Sequence, residues 1–199
     1  DFLHDPPLPE QLQLHHDDLA QLCRSAAEQA STHASSNAAP ITVHADDSCI
    51  ALIEPQLIRT ALYNLLANAL HVTPPDDDIS LSLYDDGAFF TITVADRGPG
   101  LDAARFEALL SGWQMPAPLD EYLALARQGT PPGLGLPLIQ RIAQLHGGSL
   151  LLSPREGGGS QLHFTLAHLP ESLADHNLHA PMILEDGYPL EEIEFSVLD

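Results

Sequence analysis

The chain's 199 residues, 44% of them hydrophobic, suffice for one well-buried globular domain plus an appendage. No run approaches the length of a membrane span, and no signal-peptide pattern opens the chain. The formal net charge of -21, with Arg supplying all seven basic residues, excludes nucleic acid as a partner, because phosphate backbones demand a basic footprint.

The opening, Asp1 to Gln11, is Pro-rich and reads as a linker that leaves some preceding element. Leu12 to His15 is expected to be a short strand. Asp17 to about His33 is expected to be helical, with Asp17 and Asp18 where carboxylates suit the helix dipole. Ile41 to His44 and Cys49 to Ile53 read as short strands joined by the turn Ala45-Asp46-Asp47-Ser48. Cys23 and Cys49 lack metal-type spacing; reduced thiols are the expectation, with a disulfide left open. Glu54-Pro55 opens a second helix, with Pro in its tolerated first turn, and that helix ends before Pro74-Pro75. Ile79 to Tyr84 and Phe89 to Ala95 alternate as strands around Asp85-Asp86-Gly87, a hairpin signal. Asp102 is placed to cap a short helix through Leu110. Ser111 to Pro132 is rich in Gly and Pro and reads as a long irregular segment. A helix from Leu136 to His146 stops at Gly147-Gly148, and Ser149 to Ser153 pairs with Gln161 to Leu166 in a final hairpin. The tail from Pro170 to Asp199 is acidic and reads as a linker, or as a segment that folds back onto the domain or docks a partner strand.

Three places carry chemistry. On the second helix, Asn64 and Asn68 stand four residues apart, so their carboxamides share one face beside a core face of Ile58, Leu62, Leu65, Leu66 and Ala69. Asn is a poor helix former, which suggests that something outside the helix uses these amides. Asp96 ends a strand and precedes Gly98 and Gly100. A carboxylate there can accept a hydrogen bond from an exocyclic amine, and the glycines let backbone approach a ligand. Gly133 and Gly135 open a helix whose free N–H groups make a phosphate site. Each feature alone is also an ordinary turn or an exposed amide; together, in this order, they suggest a nucleotide pocket. The net charge does not forbid one. A charge pair about 10 Å apart in water is worth about 0.4 kcal/mol, and physiological salt screens beyond about 8 Å.

These residues resemble a known family. Asp17 to Leu166 is similar to the catalytic and ATP-binding domain of a bacterial sensor histidine kinase, in the GHKL (Bergerat-fold) ATPase superfamily. The matching motifs are Glu54 to Leu70 (the N box), Asp96 to Gly100 and Gly133 to Gly148 (the two glycine boxes). The resemblance implies an α+β fold, a two-layer sandwich with a mixed, mostly antiparallel sheet covered on one face by helices. It implies ATP and Mg²⁺ as ligands, with Asn68 holding Mg²⁺ and Asn64 and His71 near the phosphates. Asp96 would bind the adenine amine, Gly98 and Gly100 would shape the adenine end, and Gly133, Leu134, Gly135 and Leu136 the phosphate end. Residues 1–16 would lead from an upstream dimerisation domain, residues 17–168 would form the ATP-binding domain with a lid at 111–132, and residues 169–199 would be a tail or linker.

The reaction so implied is transfer of the ATP γ-phosphoryl group to a histidine in a separate dimerisation domain. The implied partners are that domain, in a homodimer, and a response-regulator receiver domain. The implied location is cytoplasmic, with any membrane contact made by upstream segments. Three departures from the family pattern motivate an alternative, a degenerate kinase-like module that acts through protein contacts. His71 stands where the family usually carries Lys or Arg, Pro131-Pro132 replace a Gly-Thr type pair, and no Phe-containing lid box is evident.

Overall fold

The computed structural model describes residues 12–111 and 135–174. In chain order the elements are β1 (His15–Asp18), α1 (Leu19–His33), β2 (Ile41–His44), β3 (Ile50–Ile53), α2 (Pro55–Val72), β4 (Ile79–Asp85), β5 (Phe89–Ala95), α3 (Ala103–Ser111), α4 (Gly135–Leu145), β6 (Leu150–Pro154) and β7 (Ser160–Ala167). Five strands form one sheet in the order β2-β4-β5-β7-β6. Only the β2–β4 pair is parallel; the other pairings are antiparallel. α1 packs on β2 and β4, α2 on β5, and α4 on β6 and β7, so the helices cover one face. This is the expected two-layer α+β sandwich.

Strand alternation sets the layer boundary. In β7, Leu162, Phe164 and Leu166 turn inward while Gln161, His163 and Thr165 take the open face. In β5, Phe90, Ile92 and Val94 do the same against α2. Leu57, Ile58, Leu62, Leu65 and Leu66 of α2 are fully buried. Each contributes about 1.5–3 kcal/mol by leaving water, which fixes the helix and so the amides on its adjoining face.

Two expectations shift. The first strand runs His15–Asp18 rather than from Leu12, and the helix after it begins at Leu19, with Asp18 outside it. The reason is capping: the Asp18 side chain accepts hydrogen bonds from the backbone N–H groups of Ala20 (2.9 Å) and Gln21 (3.3 Å), and also from Cys49 (2.9 Å). Leu12 and Leu14, ahead of the strand, are buried in the main core. The second shift concerns β2 and β3. They are joined by the turn at 45–48 yet belong to different sheets, since β2 pairs with β4 while β3 pairs antiparallel with β1. Cys23 and Cys49 are both free thiols, and burial pushes the Cys23 thiol up to about 12.

Candidate functional site

α2 and α4 pack side by side in opposite directions. At one end, the backbone N–H of Glu54 donates to Nε2 of His146 (3.1 Å), while His146 Nδ1 donates to the carbonyl of Ile142 (2.8 Å). His146 is fully buried, so it is held neutral with the proton on Nδ1, and burial lowers its pKa below the ordinary value. At the other end, the start of α4 meets the amides of α2. A methyl group at Gly135 would lie 3.4 Å from Asn64 Oδ1, 3.6 Å from Asn68 Nδ2 and 3.8 Å from Asn68 Oδ1. The missing side chain of Gly135 therefore leaves a space bounded by both carboxamides. Asn64 is half-buried and its Nδ2 donates to the carbonyl of Thr60 (2.8 Å), which turns its oxygen toward Gly135. Asn68 is exposed, and no hydrogen bond within the described residues engages its amide.

Asp96 is nearly buried at the end of β5. Its Oδ1 accepts from the backbone N–H groups of Gly98 (2.8 Å) and Ser160 (3.2 Å). Its own N–H donates to the Ser160 carbonyl (2.9 Å). With Oδ1 so held, Oδ2 takes no hydrogen bond from the described residues and remains an acceptor. Two glycines make this seat possible. Gly98 packs so closely on Val72 that a methyl there would come within 2.7 Å of it, and Gly159, at φ +96°, lies where a methyl would come within 2.0 Å of the Asp96 carbonyl. The Ser160 hydroxyl in turn accepts from the N–H of Leu101 (2.8 Å), tying the approach to α3 to the same strand end. Arg97 turns away from this seat: it donates to the Glu156 carbonyl (2.9 Å) and pairs with Asp78 (3.6 Å), which also pairs with Arg155 at 2.6 Å.

Between Asp96 and the Gly135 end lies a cavity of about 480 Å³. Its walls are mainly apolar, from Leu65, Ala69 and Val72 of α2, Leu136 of α4, and Leu152 and Leu162 of the sheet. Asp96, Gly100, Asn68, His71, Gly135 and Leu136 of the expected site all line it. Asn64 and Gly98 are not among its lining residues: Asn64 bounds the space at Gly135 beside it, and Gly98 packs against the lining residue Val72. His71 is exposed at the cavity and not buried in the core. Gly133 and Leu134, the segment 111–132 beyond Ser111, Pro131-Pro132 and the tail beyond Ala174 lie outside the described residues. Sequence reasoning missed Ser160, which seats Asp96, and Arg105 of α3, which lines the cavity. Ser160 had a faint signal, a polar residue directly after three glycines; Arg105 had none.

The residues present fit a nucleotide with a hard cation. The unengaged Asp96 Oδ2 suits an amine donor, the apolar walls suit a flat base, and the Asn68 carboxamide oxygen beside the Gly135 space suits a phosphate-bound Mg²⁺. Among the described residues no three His, Cys, Asp or Glu side chains converge on another metal site.

The sandwich is that of histidine kinase catalytic domains. The catalytic domain of histidine kinase ThkA superposes with a TM-score of 0.66 at 19% identity, covering 80% of this chain and all of that one. The ATP-binding domain of PrrB from Mycobacterium tuberculosis gives 0.61 at 22% identity, over 79% of this chain and 99% of that one. The chain belongs to the histidine kinase-, DNA gyrase B- and HSP90-like ATPase family, whose model matches residues 53–172. Similar curated proteins are sensor kinases. The adaptive-response sensory kinase SasA of Synechococcus sp. (strain JA-2-3B'a(2-13)) is 35% identical over 57% of this chain. The sensor histidine kinase ZraS of Escherichia coli K12 is 29% identical over 79% of this chain. The chain spans only 29% of the SasA sequence and 31% of the ZraS sequence.

Proposed function

We propose that this chain is the ATP-binding catalytic domain of a two-component sensor histidine kinase, and that it passes the γ-phosphoryl group of ATP to a histidine in a separate dimerisation domain. The observation that carries the reading is the split use of Asp96: one carboxylate oxygen is fixed by two backbone N–H groups and the other is left as an acceptor at the base of an apolar cleft. Asp96 Oδ2 accepts from the adenine amine, and the walls from α2 and the sheet clasp the base. Gly100 shapes the adenine end, and Gly98 lets its loop close on Val72. Gly135 and Leu136, at the start of α4, offer N–H groups at the phosphate end, to which the glycine-box motif also assigns Gly133 and Leu134. Asn68 Oδ1 holds Mg²⁺, and Asn64 presents its oxygen to the same space. A bound Mg²⁺ supplies charge neutralisation across the phosphate oxygens. The chain's own part is positional: it orients ATP and keeps water from the base, while the acceptor imidazole displaces ADP from the γ-phosphorus.

In this reading residues 17–168 form the ATP-binding domain, to which the core residues Leu12 and Leu14 also belong, and residues 169–199 are a tail or linker. The partners follow from the reaction: a histidine-bearing dimerisation domain and a response-regulator receiver domain, acting in the cytoplasm. Titration calorimetry with a non-hydrolysable ATP analogue and Mg²⁺ tests the reading. Micromolar binding, about 8 kcal/mol, is expected. No heat at millimolar nucleotide refutes it and favours the degenerate, protein-binding module.

A further inference from the structure

We infer that Arg105 is a nucleotide-binding residue that contacts the α-phosphate side of the ligand; this rests on the nucleotide reading above. Among the described residues that line the cavity, Arg105 is the one Lys or Arg. In a chain of net charge -21 with seven Arg and no Lys, a cation at that place is not a product of composition. Its backbone is fixed. Its N–H donates to the Asp102 side chain (2.8 Å), and the neighbouring Phe106 is buried in the core.

Placement sets which part of the ligand it meets. Arg105 and Leu109 both line the cavity and stand four residues apart on α3, so they share one face of it, while Leu101, just ahead of the helix, also lines the cavity. Leu101 marks the base end, because its N–H is bonded to the Ser160 hydroxyl and Ser160 seats Asp96. Arg105, on the first turn of α3, follows that end along the cavity wall, and α3 packs against α4, whose first turn carries Gly135 and Leu136 of the phosphate end, so Arg105 is placed for the sugar and first phosphate. The planar guanidinium matches phosphate oxygens in fork geometry. The exposed side chain of Arg105 is free of ion pairs with the described residues, so ligand binding breaks no existing contact.

The test is calorimetry of the wild-type chain and Arg105→Gln against adenosine, AMP, ADP and ATP. Arg105 is exposed, so the variant keeps the fold, which thermal unfolding verifies. The variant is expected to lose about fivefold in affinity for AMP, ADP and ATP alike, and nothing for adenosine. Arg105→Lys should recover part of the loss. Unchanged binding of all four ligands, or an equal loss for adenosine, overturns the assignment while leaving the nucleotide reading intact. Absence of any binding by the wild-type chain overturns both.

Discussion

Asp96→Asn separates a ligand-binding carboxylate from a structural one. In the folded domain Oδ1 accepts two backbone N–H groups, and Oδ2 of this cavity-lining residue has no hydrogen-bond partner among the described residues. Asparagine keeps an oxygen for the two N–H groups and puts an NH₂ where Oδ2 was. The amine of adenine then meets a donor instead of an acceptor. Losing a hydrogen bond to a charged acceptor costs about 1.5–3 kcal/mol, which is about 10- to 150-fold in affinity. The two backbone bonds survive as neutral ones, so the fold should lose about 1 kcal/mol, or about 2–4 °C in Tm for a domain of this size. The assay is calorimetric titration with an ATP analogue and Mg²⁺ beside a thermal melt of the same sample. Binding within about threefold of wild type by a folded Asn variant would refute the assignment. So would a collapse in Tm with affinity falling only as the folded fraction falls.

Gly135→Ala should separate binding from stability in the opposite sense. The added methyl makes ordinary contacts of 3.4–3.8 Å with the Asn64 and Asn68 amides, so urea unfolding should show unchanged or slightly higher stability, by up to about 1 kcal/mol. ATP affinity in the same protein should fall about tenfold, because the space for phosphate is filled. His71→Lys, at an exposed position on the cavity, should leave Tm unchanged and raise ATP affinity about fivefold while leaving adenosine unaffected. Stability should also depend on His146. Burial holds its folded pKa low, whereas an unfolded histidine titrates near about 6.5. Protons then favour the unfolded chain, so its contribution is complete above about pH 6.5 and is lost as the pH falls below that value. Urea unfolding at pH 5, 6 and 7 should show this slope, and His146→Gln should reduce it. His163, also lowered by burial, acts in the same direction and leaves a residual slope.

Local rules made much of this domain legible. The second helix could be bounded from Glu54-Pro55 and Pro74-Pro75, and it runs Pro55–Val72. The turn at Asp85-Asp86-Gly87 joins β4 and β5 as its chemistry demands, with Asp86 Oδ1 accepting from the N–H groups of Ala88 and Phe89. Asp102 caps α3 through Arg105 N–H as its position suggests. What stayed hidden depends on distant pairings. Ser160 reaches Asp96 across 64 residues, and His146 reaches Glu54 across 92. Neither partner carries a local mark of the other. The split of β2 and β3 between sheets is of the same kind. A turn of four residues reads as a connection, and only the competing partners β4 and β1 decide which sheet each strand joins.

Arg105 and Arg97 show why charge was the least legible property. Arg97 lies inside the glycine-rich stretch and Arg105 just after it, both look like surface cations in the sequence, and the fold sends them to opposite tasks. Arg97 is drawn to Asp78 and to the carbonyls of the turn that precedes β7. It therefore braces the Asp96 loop from behind. Arg105 faces the cavity. The net charge of -21 is equally misleading at the site. Among the described lining residues Asp96 is the one carboxylate, beside one guanidinium and the imidazole of His71. A long polyanion would meet the whole acidic surface, whereas a nucleotide meets mainly these three groups, since charges beyond about 8 Å are screened in physiological salt. The composition that excludes nucleic acid thus leaves ATP untouched, and the balance at the pocket turns on residues that a sum over the chain cannot see.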